Sequence, residues 1–194
     1  LAADITSAMV RRQRYWTPSF RVDTEHSETY FVERLRFLLE DAVRLQLRSD
    51  VPLGAYLSGG IDSSLVTALA SRQSGNPLHT FTGRFDEGPE FDESPYARLV
   101  AERCGAQMHL ITPTEADFVE CMPRLIYHMD EPVAGPGLFP QFMVSRVAAQ
   151  HVKVVLGGQG GDEIFGGYAR YLVAYLEQAL KGAIEESTEE GEHI

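Results

Sequence analysis

Apolar residues recur at Phe31, Leu35, Leu38, Leu39, Ala42, Val43 and Leu47, the three-and-four spacing of an amphipathic helix, and predict a helix over 28–48. Asp50-Val51-Pro52 ends it, because the residue before a proline avoids helical geometry. The pattern then changes to short apolar runs separated by helical stretches. Strands are expected at 53–57, 78–85, 107–111 and 152–156, and helices at 63–72, 95–104, 141–150 and 168–181. Another helix is expected to run to about 128, with Thr112 as N-cap, Pro113 at the first helical position and Glu115 at the third. Gly105 is placed to stop the helix before it, and 86–94 and 129–140 read as loops. Such alternation predicts an α/β fold, a parallel sheet with helices on both faces and right-handed crossovers. Residues 1–27 keep neither period for long and read as a linker from an N-terminal part, with Tyr15 and Trp16 as packing residues. Residues 183–194 are acidic, lack core-forming residues and are expected to be disordered.

Ligands in open parallel sheets bind beyond the carboxyl ends of the strands. That rule selects the turn after Leu57, the segment after Phe81 and the glycine run after Leu156. The first is Ser58-Gly59-Gly60-Ile61-Asp62-Ser63-Ser64, where a strand breaks into small and hydroxylated residues before a helix begins. Glycines allow close backbone approach, the first amides of a helix have no partner within it, and serine hydroxyls add donors, so the stretch suits phosphate oxygens. Asp62 would repel a phosphate unless a cation lay between them, which points to Mg²⁺. The run from Gly157 to Tyr168 is a second glycine loop that again carries an aspartate, Asp162.

Composition narrows the chemistry. The net charge of -11 and the absence of a Lys/Arg-rich run argue against nucleic-acid binding, so phosphates must be held by amides, hydroxyls and metal. Cys104 and Cys121 have neither metal-ligand nor disulfide-framework spacing, which suggests a reducing cytoplasm, and no apolar run approaches membrane-spanning length. With 194 residues and 44% hydrophobic content, one domain or most of one is expected. The start at Leu1 suggests a fragment of something larger.

No lysine follows either glycine loop, so a P-loop is excluded, and Glu163 stands where the dinucleotide fingerprint needs glycine or alanine. Tyr56 stands where a nucleophile elbow around Ser58 would need glycine. The Ser58–Ser64 stretch instead resembles the pyrophosphate loop of ATP pyrophosphatases, and specifically of the glutamine-hydrolysing asparagine synthetase family. Asp50 to Gly54, Thr80-Phe81-Thr82, Glu90 to Ser94, Asp130-Glu131-Pro132 and Gly160 to Tyr168 extend the likeness over about 28–180.

The resemblance implies an adenine nucleotide alpha hydrolase-like, Rossmann-like fold over 28–182. It implies an enzyme that cleaves ATP between its alpha and beta phosphates, adenylates aspartate and releases AMP as ammonia forms asparagine. Pyrophosphate would rest on Ser58, Gly59, Gly60, Ser63 and Ser64, and Asp62 and Asp162 would hold Mg²⁺. Leu57, Gly83, Gly157 and Gly158 match positions that contact adenosine. The implied partners are aspartate, ATP, ammonia or glutamine, a glutaminase domain of the same chain and a homodimer mate. A beta-lactam synthetase-like ligase or a non-catalytic ATP-binding module are the alternatives.

Several residues carry blander readings. Gly166 and Gly167 read as turn or packing glycines, Phe165 as core, and His128 and Cys121 as packing residues. The acidic loop after Phe85 is either a solvated connection or a cover for the ATP site. The chain has Gly157-Gly158-Gln159-Gly160 where many members have Ser-Gly-Glu-Gly, and a glutamine at 159 can orient a substrate but accepts no proton at neutral pH. The resemblance implies a lysine supplied from a later part of the synthetase domain, which this stretch is expected to lack.

Overall fold

Near the start, β1 (Ala2–Asp4) and β2 (Met9–Arg11) pair antiparallel with Ala2 opposite Arg11, in a stretch expected to hold no regular structure. The computed structural model describes residues 2–4, 9–11, 14–17, 23–86, 88, 91–131, 135 and 137–185. The chain divides into two compact units, Thr29–Gly167 and a second made of Leu1–Glu28 with Tyr168–Ile194.

In the larger unit the expected alternation forms. It comprises α1 (Glu28–Gln46), β3 (Leu53–Tyr56), α2 (Ile61–Gln73), β4 (His79–Gly83), α3 (Ser94–Cys104) and β5 (Gln107–Ile111), then α4 (Glu115–His128), α5 (Leu138–Ala148), β6 (Val154–Leu156) and α6 (Gly161–Phe165). The second unit also holds α7 (Ala169–Glu185), so 183–185, read as part of a disordered tail, are helical, while 186–194 lie outside the described residues.

All four strands of the larger unit run parallel in the order β5-β4-β3-β6. The chain moves outward from β3 through β4 to β5, then returns to add β6 on the other side of β3. The strand order therefore reverses at β3, and the crevice beyond the carboxyl ends of β3 and β6 is a topological switch point.

Alternation along the strands splits the core between two faces. Ala55 packs with Val43 of α1, Leu69 and Ala70 of α2, and Leu78, while Leu57 packs with Ala97 and Ala101 of α3. Phe81 points the other way, onto Val144 and Ala148 of α5 and Val152. Beyond them α4 adds Cys121 and Leu125 against Phe139 and Met143 of α5. Helices thus cover both faces, as expected for this α/β class.

Three boundaries differ from the sequence reading for local reasons. The N-cap of α4 is Thr114, not Thr112: its hydroxyl accepts from the Asp117 amide, and the Asp117 carboxylate accepts from the Thr114 amide and hydroxyl, closing a capping box. Helix α5 begins at Leu138, three residues early, because Pro140 sits in its first turn, where a missing amide costs nothing. Gly161–Phe165 forms a short helix inside the expected loop, bounded by Gly160 at φ 96° and Gly166 at φ 69°. Gly105 stops α3 at φ 61°, as read.

Exposure corrects other expectations. Phe165 is 53% exposed rather than core, Tyr15 and Trp16 are exposed rather than packed, and His128 is exposed beside the Tyr127 ring. Cys121 is buried, as expected. Among the described residues no helix is long and apolar enough to cross a membrane.

Candidate active site at the sheet's carboxyl edge

The loop after β3 is closed on itself. Ser63 Oγ donates to the Gly60 carbonyl (3.2 Å) and accepts from the Ser58 amide (3.2 Å). With the Ser63 proton so used, the Ser58 hydroxyl donates to Ser63 Oγ (2.9 Å) and accepts from the Gly60 amide (3.2 Å). Two serines and a glycine amide therefore satisfy one another, holding the first turn of α2 in a fixed shape. Ser64 Oγ is buried, with no hydrogen-bond partner among the described residues. Gly59 must be glycine: its φ is 97°, and a Cβ there would lie 2.9 Å from both the Glu93 carbonyl oxygen and Tyr96 Cβ at the start of α3.

The glycine loop after β6 packs directly onto this turn. A Cβ on Gly158 would sit 2.8 Å from the Ser63 amide nitrogen and 2.9 Å from the Asp62 carbonyl carbon. A Cβ on Gly161 would overlap the Asp62 carboxylate, so that carboxylate lies against the second loop. Asp62 thus joins the two glycine loops across the switch point. The Asp162 carboxylate turns toward Gly167, whose amide donates to the Asp162 carbonyl (3.0 Å). Gly166, the left-handed C-cap, and Gly167 have the turn and packing roles read from the sequence. The Gln159 amide folds back over Gly157 and is exposed.

Beside the first loop a cavity of about 400 Å³ opens between β3, β4 and α5. Leu57, Ser58 and Gly83 line it, together with Tyr56, Phe81, Phe85, Phe91, Glu93, Gly137, Pro140, Gln141 and Val144. Leu57 spends its side chain on the α3 core, and its backbone bonds Phe81 (3.0 Å) and the Thr82 hydroxyl (2.7 Å). Gly83 keeps the wall thin: a Cβ would meet Val144 Cγ2 at 3.2 Å. The Ser145 hydroxyl donates to the Gln141 carbonyl (2.6 Å), so the Tyr56 hydroxyl donates to Ser145 (2.8 Å) and fixes its ring beside the cavity. Gly157 and Gly158 are not among the lining residues: Gly158 stands against the serine loop, and Gly157 lies under the Gln159 side chain.

The aromatic walls were missed in the sequence because Tyr56, Phe81, Phe85 and Phe91 come from three segments with no shared motif; their placement near strand ends was the available signal. The acidic loop contributes structure as well as charge. Arg84 pairs with Asp86 (2.7 Å) and Asp92 (3.4 Å). The Ser94 hydroxyl and amide hold the Asp92 carboxyl below its usual range, and Arg84 adds to this. Residues 87, 89 and 90 lie outside the described residues, as do 132–134 and 136 of the loop that carries Asp130 and Glu131.

A doubly wound α/β domain with two glycine loops meeting at its switch point is the class of protein defined here. Its family follows from the sequence comparisons. Residues 34–193 match the family model described as asparagine synthase. A Mycobacterium bovis protein with a provisional glutamine-hydrolyzing asparagine synthetase name is 45% identical over 163 residues, covering 81% of this chain and 24% of that protein. Bacillus subtilis asparagine synthetase 1 is 37% identical over 160 residues, covering 81% of this chain and 24% of that protein. Among solved structures, the NH3-dependent NAD synthetase of Campylobacter jejuni aligns with a TM-score of 0.47 and 16% identity over 71% of this chain and 60% of that one. The chain belongs to the asparagine synthase family, and it spans about a quarter of the length of the two curated relatives named here.

Proposed function

We propose that this chain is the ATP-handling part of an enzyme that makes asparagine from aspartate, with ammonia drawn from glutamine, and that it is cytoplasmic. The observation carrying this reading is the contact of Asp62 with Gly158 and Gly161, which joins two phosphate-suited loops at one switch point. ATP would place its adenosine in the cavity walled by Tyr56, Phe81 and Gly83, and its phosphates along Ser58 to Ser64. Family membership supports ATP as the substrate.

The inward hydroxyls of Ser58 and Ser63 set the loop's shape before the nucleotide arrives. Ser64 Oγ is buried with no partner among the described residues, and it would donate to a phosphate oxygen only once the turn opens enough to admit one. Preorganised donors act most strongly on charge that grows on the departing pyrophosphate, so they lower the barrier and do more than bind.

The donor set suits Mg²⁺, which takes one or two carboxylates and completes its shell with water and substrate phosphate oxygens. Asp62 and Asp162 would hold it, and bound there it would offset phosphate charge beside two carboxylates. Gln159 would orient the acid substrate by hydrogen bonding and move no proton.

The test is aspartate-dependent exchange of pyrophosphate into ATP by the intact gene product. Asp62→Ala and Asp162→Ala are each expected to lower exchange by at least about 100-fold, the scale of losing one preorganised electrostatic contact. Exchange near the wild-type rate in both variants would remove the carboxylates from the reading.

A further inference from the structure

Three of the six histidines converge away from the glycine loops. Side chains alternate along a strand, and the register that sets His79 opposite Gln107 leaves His79 and His109 as diagonal neighbours on one face. His151 joins them from the turn after α5, the helix whose Val144 and Ala148 cover Phe81 on that face. His79 begins β4 and His151 precedes β6, so the group gathers toward the amino-terminal end of the sheet, whereas both glycine loops follow strand ends.

Ligating nitrogens of the three rings all lie within 4.8 Å of one another. His79 Nδ1 is 2.9 Å from His109 Nε2, and the His109 and His151 ring centroids are 3.9 Å apart. Phe81 stacks on His109 at 5.2 Å and gives the group an apolar floor. Neutral imidazoles carry the lone pairs that bind metals. His79 and His109 are half-buried and His151 is exposed, so an ion can enter from solvent.

We propose that His79, His109 and His151 form a three-histidine site for a divalent first-row transition metal, Zn²⁺ in particular, with water in the fourth position. Tetrahedral zinc with bonds of about 2.0–2.1 Å sets its ligand atoms roughly 3.4 Å apart. Side-chain rotation brings nitrogens now within 4.8 Å to that spacing. Imidazole ligands favour zinc, copper and nickel over magnesium, so the site does not compete for the ion assigned to the aspartates. Its effect is to clamp β4, β5 and the entry to β6 together. It stands apart from the proposed ATP chemistry.

The test is a Co²⁺ titration of the tag-free 194-residue chain, followed by visible absorption. The expected result is one Co²⁺ per chain with the intense bands of four-coordinate cobalt, displaced by one equivalent of Zn²⁺. His151→Ala, at an exposed turn, and His79→Gln are each expected to weaken binding by more than about tenfold. His26→Ala and His128→Ala, which change exposed histidines outside the group, leave it unchanged. Absence of stoichiometric binding, or affinity unmoved by both His151→Ala and His79→Gln, overturns the site. Should these variants unfold, diethylpyrocarbonate labelling of the wild-type chain decides. Protection of His79, His109 and His151 by Zn²⁺ supports the proposal, and equal labelling with and without Zn²⁺ refutes it.

Discussion

Replacing Gly158 with alanine probes the joint between the two glycine loops. The added Cβ would stand 2.8 Å from the Ser63 amide nitrogen and 2.9 Å from the Asp62 carbonyl carbon, where ordinary contact begins at 3.4 Å. Both neighbours are backbone atoms in the first turn of α2, so no flexible side chain can swing aside. Overpacking against backbone costs about 1–3 kcal/mol. Urea unfolding of the chain, followed by circular dichroism, should show that loss. Gly137→Ala is the matched control, because nothing among the described residues lies within 4 Å of its Cβ and its φ of −76° suits alanine. It should leave stability unchanged or raise it by about 0.4–1 kcal/mol through a less free unfolded chain. ATP affinity should fall in Gly158→Ala by about tenfold for each 1.4 kcal/mol of strain retained in the bound geometry. Equal stabilities for Gly158→Ala and the wild type, within about 0.5 kcal/mol, would refute the close packing of the loops.

Two further outcomes concern α4. Thr114→Ala removes the hydroxyl that serves the Asp117 amide and carboxylate, and should cost about 1 kcal/mol at neutral pH. The Thr114 hydroxyl and amide hold the Asp117 carboxyl below its usual range, so its contribution is present above about pH 4 and is lost as pH falls through the lowered folded value. Urea midpoints measured down the acid limb should therefore fall less steeply in the variant; parallel limbs would count against the capping box. Pro123 lies exposed inside α4, where its ring forfeits one helical hydrogen bond. Pro123→Ala should stabilise the chain by about 1–3 kcal/mol in the same assay, and a loss of stability would show that the proline fits a local bend.

Local chemistry explains which parts of the fold were legible. The glycine stop of α3 and the strand at Gln107–Ile111 after it were read to the residue, because a left-handed φ at 105 leaves few alternatives to glycine. The position of the α4 cap was misread because Thr112-Pro113 and Thr114 both offer start signals, and the Asp117 carboxylate bonds Thr114. Strand β4 ends at Gly83, two residues short of the expected run: the Arg84 amide still bonds the Ile111 carbonyl of β5 (2.8 Å), and Phe85 turns to the cavity wall.

Both loops around the switch point stood out in sequence, since glycine and aspartate clusters at strand ends are local signals. Their contact did not, because it depends on β6 returning beside β3 after nearly a hundred residues. The histidine group was invisible for the same reason: 79, 109 and 151 share no spacing, and only strand register and the turn after α5 gather them.

The central claim is that this site splits ATP between its alpha and beta phosphates to activate an acid. Chromatography of the nucleotide products formed by the intact gene product with ATP, Mg²⁺, aspartate and ammonia tests it most directly. AMP and pyrophosphate appearing one for one with asparagine is the predicted result, and ADP with orthophosphate would contradict it.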